Sequence, residues 1–466
     1  MRINDRRYGV LLIVWTCAIP EIAAAQDQTG MQQILQRLDR LEQENRTLSE
    51  EVSALRSELA AARGSSPTTA PPTASREQAG DEQPAAVPLE ERVAVEEQRT
   101  ADQAQAKVEA AHRLPITLTG MILFNAFMNS RASGGQQDPV AASSLDSHSG
   151  SGASVSQSLL GFNFQGPQIA GGGQVSGQLH LDLWGGTSSS LNHLVRLRVA
   201  TLAIDWKNQS IVVGQDKPIV SPRDPTSLAQ VAVSPLAAAG NLWLWQPQVR
   251  FEQRFAIGDS AGIRARVGVY ETSESTSDAT TEYASTLSSA RPGIEGRFEF
   301  WRKFGEHARI EIAPGFHTSE THVAGVSVPA RLFTLDWLIQ PMAKVQFTGL
   351  FFTGENSSVI GGLRGGFTIF PSNLIEAVGA TGGWAQLSYF ATSRLSFNFY
   401  GGEESHNAVD LLAGEITRNF EYAGNAIYKL GSNVLVGLEA SQVRTNYLQQ
   451  SNRLVNHYDL ALGYLF

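Results

Sequence analysis

The last eleven residues of the chain are NHYDLALGYLF, Asn456–Phe466. Every second position in it is apolar, at Tyr458, Leu460, Leu462, Tyr464 and Phe466. This alternation predicts a β-strand whose two faces meet different surroundings. The ends of soluble domains are usually frayed and polar. Here apolar and polar residues alternate up to the final residue, which predicts that one face of the strand meets an apolar environment.

The same alternation recurs through most of the chain. From residue 116 onward, short alternating segments are separated by loops rich in Gly, Ser, Asn and Thr. Clear examples are QVSGQLHLDLW (174–184), GIRARVGVY (262–270) and PGIEGRFEF (292–300), each with one apolar face and one polar or charged face. About sixteen such segments can be marked, and their spacing is that of an outer-membrane β-barrel.

A soluble β-sandwich or propeller is the alternative for these strands. It would have to bury more polar residues than a core tolerates, because the polar faces are as long and as charged as the apolar ones. Strands in lipid must pair every backbone group, which a closed barrel achieves. We therefore predict an all-β transmembrane antiparallel barrel of about sixteen strands over residues 115–466. The apolar residues of the last strand would face lipid, whereas Asp459, Ala461 and Gly463 would face the lumen.

The N-terminus predicts export. Three arginines stand in the first seven residues, before the apolar run GVLLIVWTCAI, and small residues follow that run. This is the pattern of a secretory signal peptide, which we place at residues 1–25. The single cysteine of the chain, Cys17, lies inside this segment, so the mature chain is expected to fold without disulfides.

Composition narrows the function classes. The 466 residues carry a formal net charge of -9, whereas a nucleic-acid partner would call for a basic surface. Only 17% of the residues are charged, but the mean hydropathy of -0.14 is lower than expected for a helical membrane protein. After the first twenty residues, no run approaches the ~18 apolar residues that a membrane-spanning helix needs. A bundle of membrane helices is therefore not expected.

A heptad pattern follows the signal peptide. Over residues 28–63 the repeat positions alternate in steps of three and four, at Met31, Ile34, Leu38, Leu41, Asn45, Leu48, Val52, Leu55, Leu59 and Ala62. This spacing predicts an α-helical coiled coil in which Asn45 sets the register from an a position. It does not decide between dimer and trimer. A single amphipathic helix on a globular core is the alternative, but its apolar stripe would be wider.

Residues 64–114 are predicted to be a linker. The first part, GSSPTTAPPTASREQAGDEQPAAVP, has too few apolar residues to form a core of its own. The segment Leu89–His112 is rich in Ala, Glu and Gln, which predicts a helical stretch that ends before Pro115.

Charged residues gather on the predicted lumen face. Six arginines lie in the phase opposite to the lipid-facing residues of their strands, and they are Arg196, Arg198, Arg250, Arg254, Arg264 and Arg266. Strands ~4.8 Å apart would bring them together as a basic ladder, which would favour anions in a narrow passage. The alternative is a salt-bridge network with the charged residues nearby, namely Glu252, Glu295, Arg297 and Glu299.

Catalytic and metal sites are not expected. The nine histidines are scattered, and neither GxSxG nor HExxH occurs. His180 and Asp182 share one face of a predicted strand, but such a pair is more typical of a wet barrel wall than of a metal site. We therefore expect no enzyme activity, no cofactor and no metal.

Several strand motifs are similar to those of a known family. The terminal YDLALGYLF resembles the C-terminal signal by which the barrel-assembly machinery recognises outer-membrane barrels, with Tyr458, Leu460, Leu462, Tyr464 and Phe466 as its apolar positions. The segments VRLRVATLAID, SIVVGQD, QPQVRFEQRF, FTGLFFTGEN, GGWAQLSYF and LVGLEASQVRTNY resemble consecutive strands of the Gram-negative DcaP-like porins, which carry an N-terminal coiled coil.

The resemblance implies a homotrimer of sixteen-stranded barrels, each with a pore narrowed by an infolded third loop. It also implies passive uptake of small hydrophilic solutes, often anions. In this chain the loop would be DKPIVSPRDPTSLAQVAVSPLAAAGNLW, which is too long and too rich in proline for a hairpin turn, with Asp216, Lys217, Arg223 and Asp224 as its charged residues. A plain extracellular loop is the alternative.

The predicted function is that of a porin in the bacterial outer membrane, with the coiled coil in the periplasm. Two other functions stay open: a structural tether to the cell wall that uses the barrel as an anchor, and an outer-membrane enzyme. Neither the transported solute nor the pore radius follows from the sequence.

Overall fold

The computed structural model describes residues 115–145, 147–185, 193–271 and 288–466. The predicted signal peptide, coiled coil and linker lie outside these residues. Within the described ranges, no helix is both long enough and apolar enough to cross a membrane.

Regular structure in the described residues consists of β-strands and three short 3₁₀ helices. The strands are β1 (Ile116–Asn129), β2 (Gly150–Ser154), β3 (Leu159–Ile169), β4 (Gly173–Gly185), β5 (Leu194–Asp205), β6 (Gln209–Asp216), β7 (Gln246–Ile257), β8 (Ala261–Tyr270), β9 (Ser288–Phe304), β10 (Ala308–Val323), β11 (Val326–Met342), β12 (Val345–Glu355), β13 (Phe367–Ile369), β14 (Ile375–Ala377), β15 (Gly379–Phe390), β16 (Leu395–His406), β17 (Ile416–Lys429), β18 (Val434–Tyr447) and β19 (Arg453–Leu465). The 3₁₀ helices are Ala170–Gly172, Ser357–Ile360 and Ala408–Asp410.

The large sheet closes on itself into a sixteen-stranded wall. From β3 to β12 and from β15 to β19, each strand pairs antiparallel with the next one along the chain, and β12 pairs with β15. Strand β1 completes the ring by pairing with β19 on one edge and with β2 and β3 on the other. Strands β2 and β3 pair with successive parts of β1 and so occupy one position in the wall. The prediction of an antiparallel barrel of about sixteen strands is confirmed.

The two ends of the barrel differ in their connections. At one end, consecutive strands are joined by short turns such as Gly258–Ser260. Among the connections that the structure describes, the other end carries the long loops at residues 130–149, 217–245 and 356–378, the last of which contains the hairpin of β13 and β14. We call these ends the short-turn end and the long-loop end.

The wall separates apolar from polar side chains, as the alternation predicts. In β9, Ile294, Phe298 and Phe300 are exposed on the outer face, whereas Glu295, Arg297 and Glu299 are buried on the inner face. The terminal strand follows the same rule: Tyr458, Leu460, Leu462 and Tyr464 are exposed, and Asp459 and Ala461 are buried. The outer surface therefore presents the apolar face that a lipid environment requires.

The last residue closes the ring at its short-turn end. Phe466 and Gly120 exchange both backbone hydrogen bonds, with N···O distances of 3.1 and 3.2 Å. The ring of Phe466 covers Gly120, because a Cβ at that glycine would lie 2.6 Å from Cζ of the phenylalanine.

We predict that deletion of Phe466 lowers the yield of assembled barrel, because it removes two hydrogen bonds and the aromatic cover from the closing strand pair. The folded fraction can be measured by the mobility of unheated protein in detergent gels. Phe466→Tyr, which keeps the ring and the backbone pairing, is the control and should assemble normally. Normal assembly of the truncated chain would show that β1 and β19 close without it.

Candidate functional site

The lumen is crossed by residues 217–245, which join β6 to β7 and which we call the constriction loop. Side chains from wall positions on opposite sides of the barrel contact it, including Asn125 on β1, Glu295 on β9 and Asn425 on β17. Its apolar residues Leu236 and Leu242 are fully buried in a cluster that includes lumen-facing residues of the wall. The loop therefore lies inside the barrel rather than outside it, at the place where the sequence predicts an infolded loop.

Glycines let the backbone of the loop lie directly on the wall. A Cβ at Gly240, whose φ is +95°, would lie 2.3 Å from the carbonyl oxygen of Gly383. A Cβ at Gly402 on β16 would lie 2.2 Å from the carbonyl oxygen of Ala239. No larger residue fits at either contact without moving the loop, since real Cβ atoms do not approach so closely.

Polar side chains of the wall bind the backbone of the loop. Oε2 of Glu295 accepts from the Ile219 amide at 2.6 Å, and Oε1 of Gln386 accepts from the Thr226 amide at 2.6 Å. Nδ2 of Asn419 donates to the Ala238 carbonyl at 2.9 Å. These contacts satisfy backbone groups that a loop in the interior would otherwise leave unpaired.

The predicted loop charges are all in ion pairs. Arg223 reaches across to Asp336 on β11 and Glu311 on β10. Lys217 pairs with Asp224 inside the loop. Asp216, the last residue of β6, accepts from Nη1 of Arg250 at 2.7 Å. Arg223 thus ties the loop to the wall.

A second loop, residues 356–378, also folds inward, although only the loop after β6 was expected to do so. Ile360 and Leu363 are fully buried, and the Ile360 carbonyl accepts from the amide of Leu244 in the constriction loop at 3.3 Å. Nε2 of Gln246 donates to the Val359 carbonyl at 2.8 Å. The available signal was its length and its apolar residues, the same features that marked the constriction loop.

The arginines of the predicted ladder face the lumen, but each lies near a carboxylate. Arg196 and Arg198 pair with Asp182 at 2.6 and 3.8 Å. Arg250 pairs with Asp216, as described above. The other three surround Glu252, at 3.0 Å for Arg254, 3.7 Å for Arg264 and 2.5 Å for Arg266. The geometry is that of the alternative, a salt-bridge network, and a selectivity role for these arginines stays a prediction.

Arg297 is the centre of this network. Its guanidinium binds both oxygens of Asp336, at 2.6 and 2.8 Å, and Oε2 of Glu299 at 2.7 Å. The Arg297 side chain is 1% exposed, whereas that of Arg264, which reaches Glu299 at 3.2 Å, is 35% exposed. The network therefore runs from a buried pair on β9 to a side chain in contact with water on β8.

A serine, a histidine and a carboxylate also meet on the inner wall, although the sequence pattern showed no such group. One imidazole nitrogen of His317 lies 3.1 Å from Oε1 of Glu295, and the other lies 3.1 Å from Oγ of Ser319. The Tyr270 hydroxyl also contacts the ring, at 2.6 Å from Nε2. All four side chains are at most 4% exposed, so no substrate carbonyl reaches Ser319 here. Glu295 serves instead as an anchor for the constriction loop.

The predicted wall pair His180 and Asp182 is not arranged as a metal site. Both oxygens of Asp182 accept from Arg196, at 3.1 and 2.6 Å. Among the residues that the structure describes, no group of three or more His, Cys, Asp or Glu side chains is placed to hold a metal ion.

Comparison with known proteins gives structural relatives only. No protein-family model and no curated sequence matches the chain. Its backbone is similar to that of the outer-membrane channel DcaP of Acinetobacter baumannii, with a TM-score of 0.62 at 16% identity over 75% of this chain and 97% of that chain. The barrel has the porin fold. An anion-selective porin from Comamonas acidovorans also matches, with a TM-score of 0.52 at 12% identity over 75% of this chain and 99% of that one. At the level of fold, these matches confirm the resemblance to DcaP-like porins.

Proposed function

We propose that the chain is an outer-membrane porin, which forms a water-filled channel for the passive diffusion of small hydrophilic solutes. The observation that carries the proposal is a closed barrel, apolar outside and charged inside, whose lumen is narrowed by a loop anchored to the wall. The apolar outer face fits the lipid of a bacterial outer membrane, the membrane in which such barrels are found.

Solvent-accessible charged side chains inside the barrel favour a channel over a simple anchor. The side chains of Arg196, Arg254 and Arg264 are 27%, 33% and 35% exposed although they point inward. A barrel used only as an anchor would gain nothing from charged side chains in contact with water. A porin needs them, because polar groups along the pore replace part of the hydration of a passing solute.

Assembly and partners form the second part of the proposal. A homotrimer, built by the barrel-assembly machinery and joined through the predicted periplasmic coiled coil, is consistent with the porin fold. The terminal strand offers the predicted signal in an accessible form, since Tyr458, Leu460 and Leu462 are all exposed.

Single-channel recording in a planar bilayer tests the function. Purified full-length protein should insert and give steady steps of current that increase in proportion to the applied voltage. Insertion without an open current would refute the porin and leave the tether or the enzyme.

Selectivity tests the solute class. Arg264→Gln combined with Arg266→Gln would leave Glu252 and Glu299 with fewer positive partners, so we expect the anion-to-cation permeability ratio to fall. The change should be larger in dilute electrolyte, because charges are screened over ~10 Å at 0.1 M salt. Reversal potentials under a salt gradient measure the ratio.

The matched control is Arg331→Gln, which removes a charge from a 69% exposed side chain on β11. This change should leave the permeability ratio as it is in the wild type. An unchanged ratio in the double variant at every salt concentration would mean that permeating ions do not pass along this wall.

A further inference from the structure

Exposed basic residues gather along one half of the barrel rim at the short-turn end. We call them the basic arc, and they stand at the ends of β9 to β12 and of β15 to β17: Arg302, Lys303, Arg309, Lys344, Arg394 and Lys429. Glu306 is the one carboxylate in the described turns of this half. The described turns and strand ends of the other half carry Lys207 against Asp205 and Asp259. The excess positive charge is therefore confined to one side of the rim.

Strand pairing places members of the basic arc side by side. Lys303 and Arg309 are direct cross-strand partners on β9 and β10. The Lys429 amide donates to the Arg394 carbonyl at 2.8 Å, so these two residues adjoin where β17 meets the turn between β15 and β16. Like charges directly opposite each other on paired strands cost stability, so folding alone does not favour such an arrangement.

Carboxylates compensate little of this charge. Among the described residues, Arg309 is the one member of the basic arc in an ion pair, with Oε1 of Glu311 at 3.6 Å from its Nε. Arg302 lies instead over an aromatic ring, with its guanidinium carbon 5.0 Å from the centroid of Phe304. An aromatic ring holds the cation in place and does not neutralise it, so the charge stays available to an anion from outside the chain.

Aromatic side chains on the outer face place the basic arc at the surface of the membrane. Phe304, Tyr389 and Tyr428 are exposed near the short-turn ends of their strands, and Leu387 and Phe399 continue the apolar face toward the middle of the wall. Tyrosine is enriched where a bilayer meets water, at the level of the lipid headgroups. The basic arc lies next to these rings at the end of the barrel, and so within reach of headgroup phosphates.

We propose that the basic arc binds the phosphate groups of anionic phospholipids in the surrounding leaflet. Each Lys or Arg near an anionic membrane surface strengthens binding about fivefold. The short turns of outer-membrane barrels are periplasmic, so the lipid belongs to the leaflet on that side. A soluble polyanion would have no use for the exposed aromatic rings that border the arc. The inference requires a barrel in a membrane, but it does not require that the pore conducts.

Lipid binding to the full chain in a neutral detergent tests this inference. Native mass spectrometry with added phosphatidylglycerol or phosphatidylcholine gives the affinity for each lipid. The wild type should bind phosphatidylglycerol more tightly than phosphatidylcholine. The double variant Arg394→Gln with Lys429→Gln should lose at least ~5-fold of the affinity for phosphatidylglycerol and none of that for phosphatidylcholine, because two adjoining cations are removed. Phosphatidylglycerol should also raise the thermal unfolding midpoint of the wild type more than that of the variant.

The matched control is Arg364→Gln with Lys207→Gln, which removes the same two residue types from exposed positions outside the basic arc. It should bind phosphatidylglycerol as the wild type does. All four residues are exposed, so both variants should fold. Equal affinity of the wild type for the two lipids, or wild-type affinity for phosphatidylglycerol in the arc variant, would overturn the inference. An equal loss in the control would also overturn it, because net charge rather than the basic arc would then decide binding.

Discussion

Shortening of the constriction loop should increase the single-channel conductance several-fold, the largest functional change that we expect from any alteration of this chain. Replacement of residues 226–240 by a short glycine-serine linker removes the part of the loop that crosses the lumen, while Arg223 and its pairs with Asp336 and Glu311 remain. The wall should still close, because its backbone pairing does not involve the loop. Conductance rises with the width of the narrowest section of a water-filled pore.

A point variant separates the position of the loop from its length. Gly402→Val places a side chain where the Ala239 carbonyl now lies, so the loop must move away from the wall while the chain keeps all its residues. We expect a smaller increase in conductance and noisier open channels.

The control for the truncation of the constriction loop is a chain with a shortened loop at residues 407–415. The backbone hydrogen bonds of that loop run to Gly379 and Leu448 at neighbouring strand ends. Wild-type conductance in the truncated chain would show that another element sets the narrowest section.

Replacement of Arg297 by methionine should have the largest effect on stability. The change removes the buried partner of Asp336 and Glu299 and leaves two carboxylates against a side chain without charge. Loss of one partner from a buried ion pair costs about 3–5 kcal/mol, because the remaining charge is desolvated and uncompensated. Arg223 also binds Asp336, so the loss should fall near the lower end of that range. Equilibrium unfolding of refolded barrels in detergent, with urea as denaturant, measures it.

Arg331→Met is the matched control for this variant. Arg331 lies on β11 and pairs with Glu355 at 3.6 Å, but its side chain is 69% exposed. Exposed ion pairs contribute about 0–1 kcal/mol, so the control should unfold almost as the wild type does. Similar losses in the two variants would mean that water reaches Arg297 as freely as it reaches Arg331.

The wall of the barrel follows from local pattern, which is why the sequence predicts it well. In PGIEGRFEF, a period of two assigns Ile294, Phe298 and Phe300 to one face and Glu295, Arg297 and Glu299 to the other, and the structure shows that division. Alternation is a property of adjacent residues, and a slip of one residue would send every charge into lipid. The same reasoning predicts that a loop as long and apolar as 217–245 folds away from water.

The partners of the lumen charges depend on the tertiary structure alone. The six arginines of the predicted ladder can be assigned to the lumen from the sequence. The carboxylate beside each of them cannot be predicted, because strand pairing decides which charges become neighbours. Arg223 and Asp336 are separated by 113 positions, and Asn125 and Asp459 by 334.

The barrel, the phase of its strands and the segment that enters the lumen could all be predicted from the amino-acid pattern. The pairing of the arginines with carboxylates and the inward fold of the second loop, residues 356–378, became visible only in three dimensions. The physical reason is the range of the interactions. Strand phase is set by the pleat of each strand and the solvent on either side, whereas contacts across a lumen arise only after all sixteen strands have closed in register.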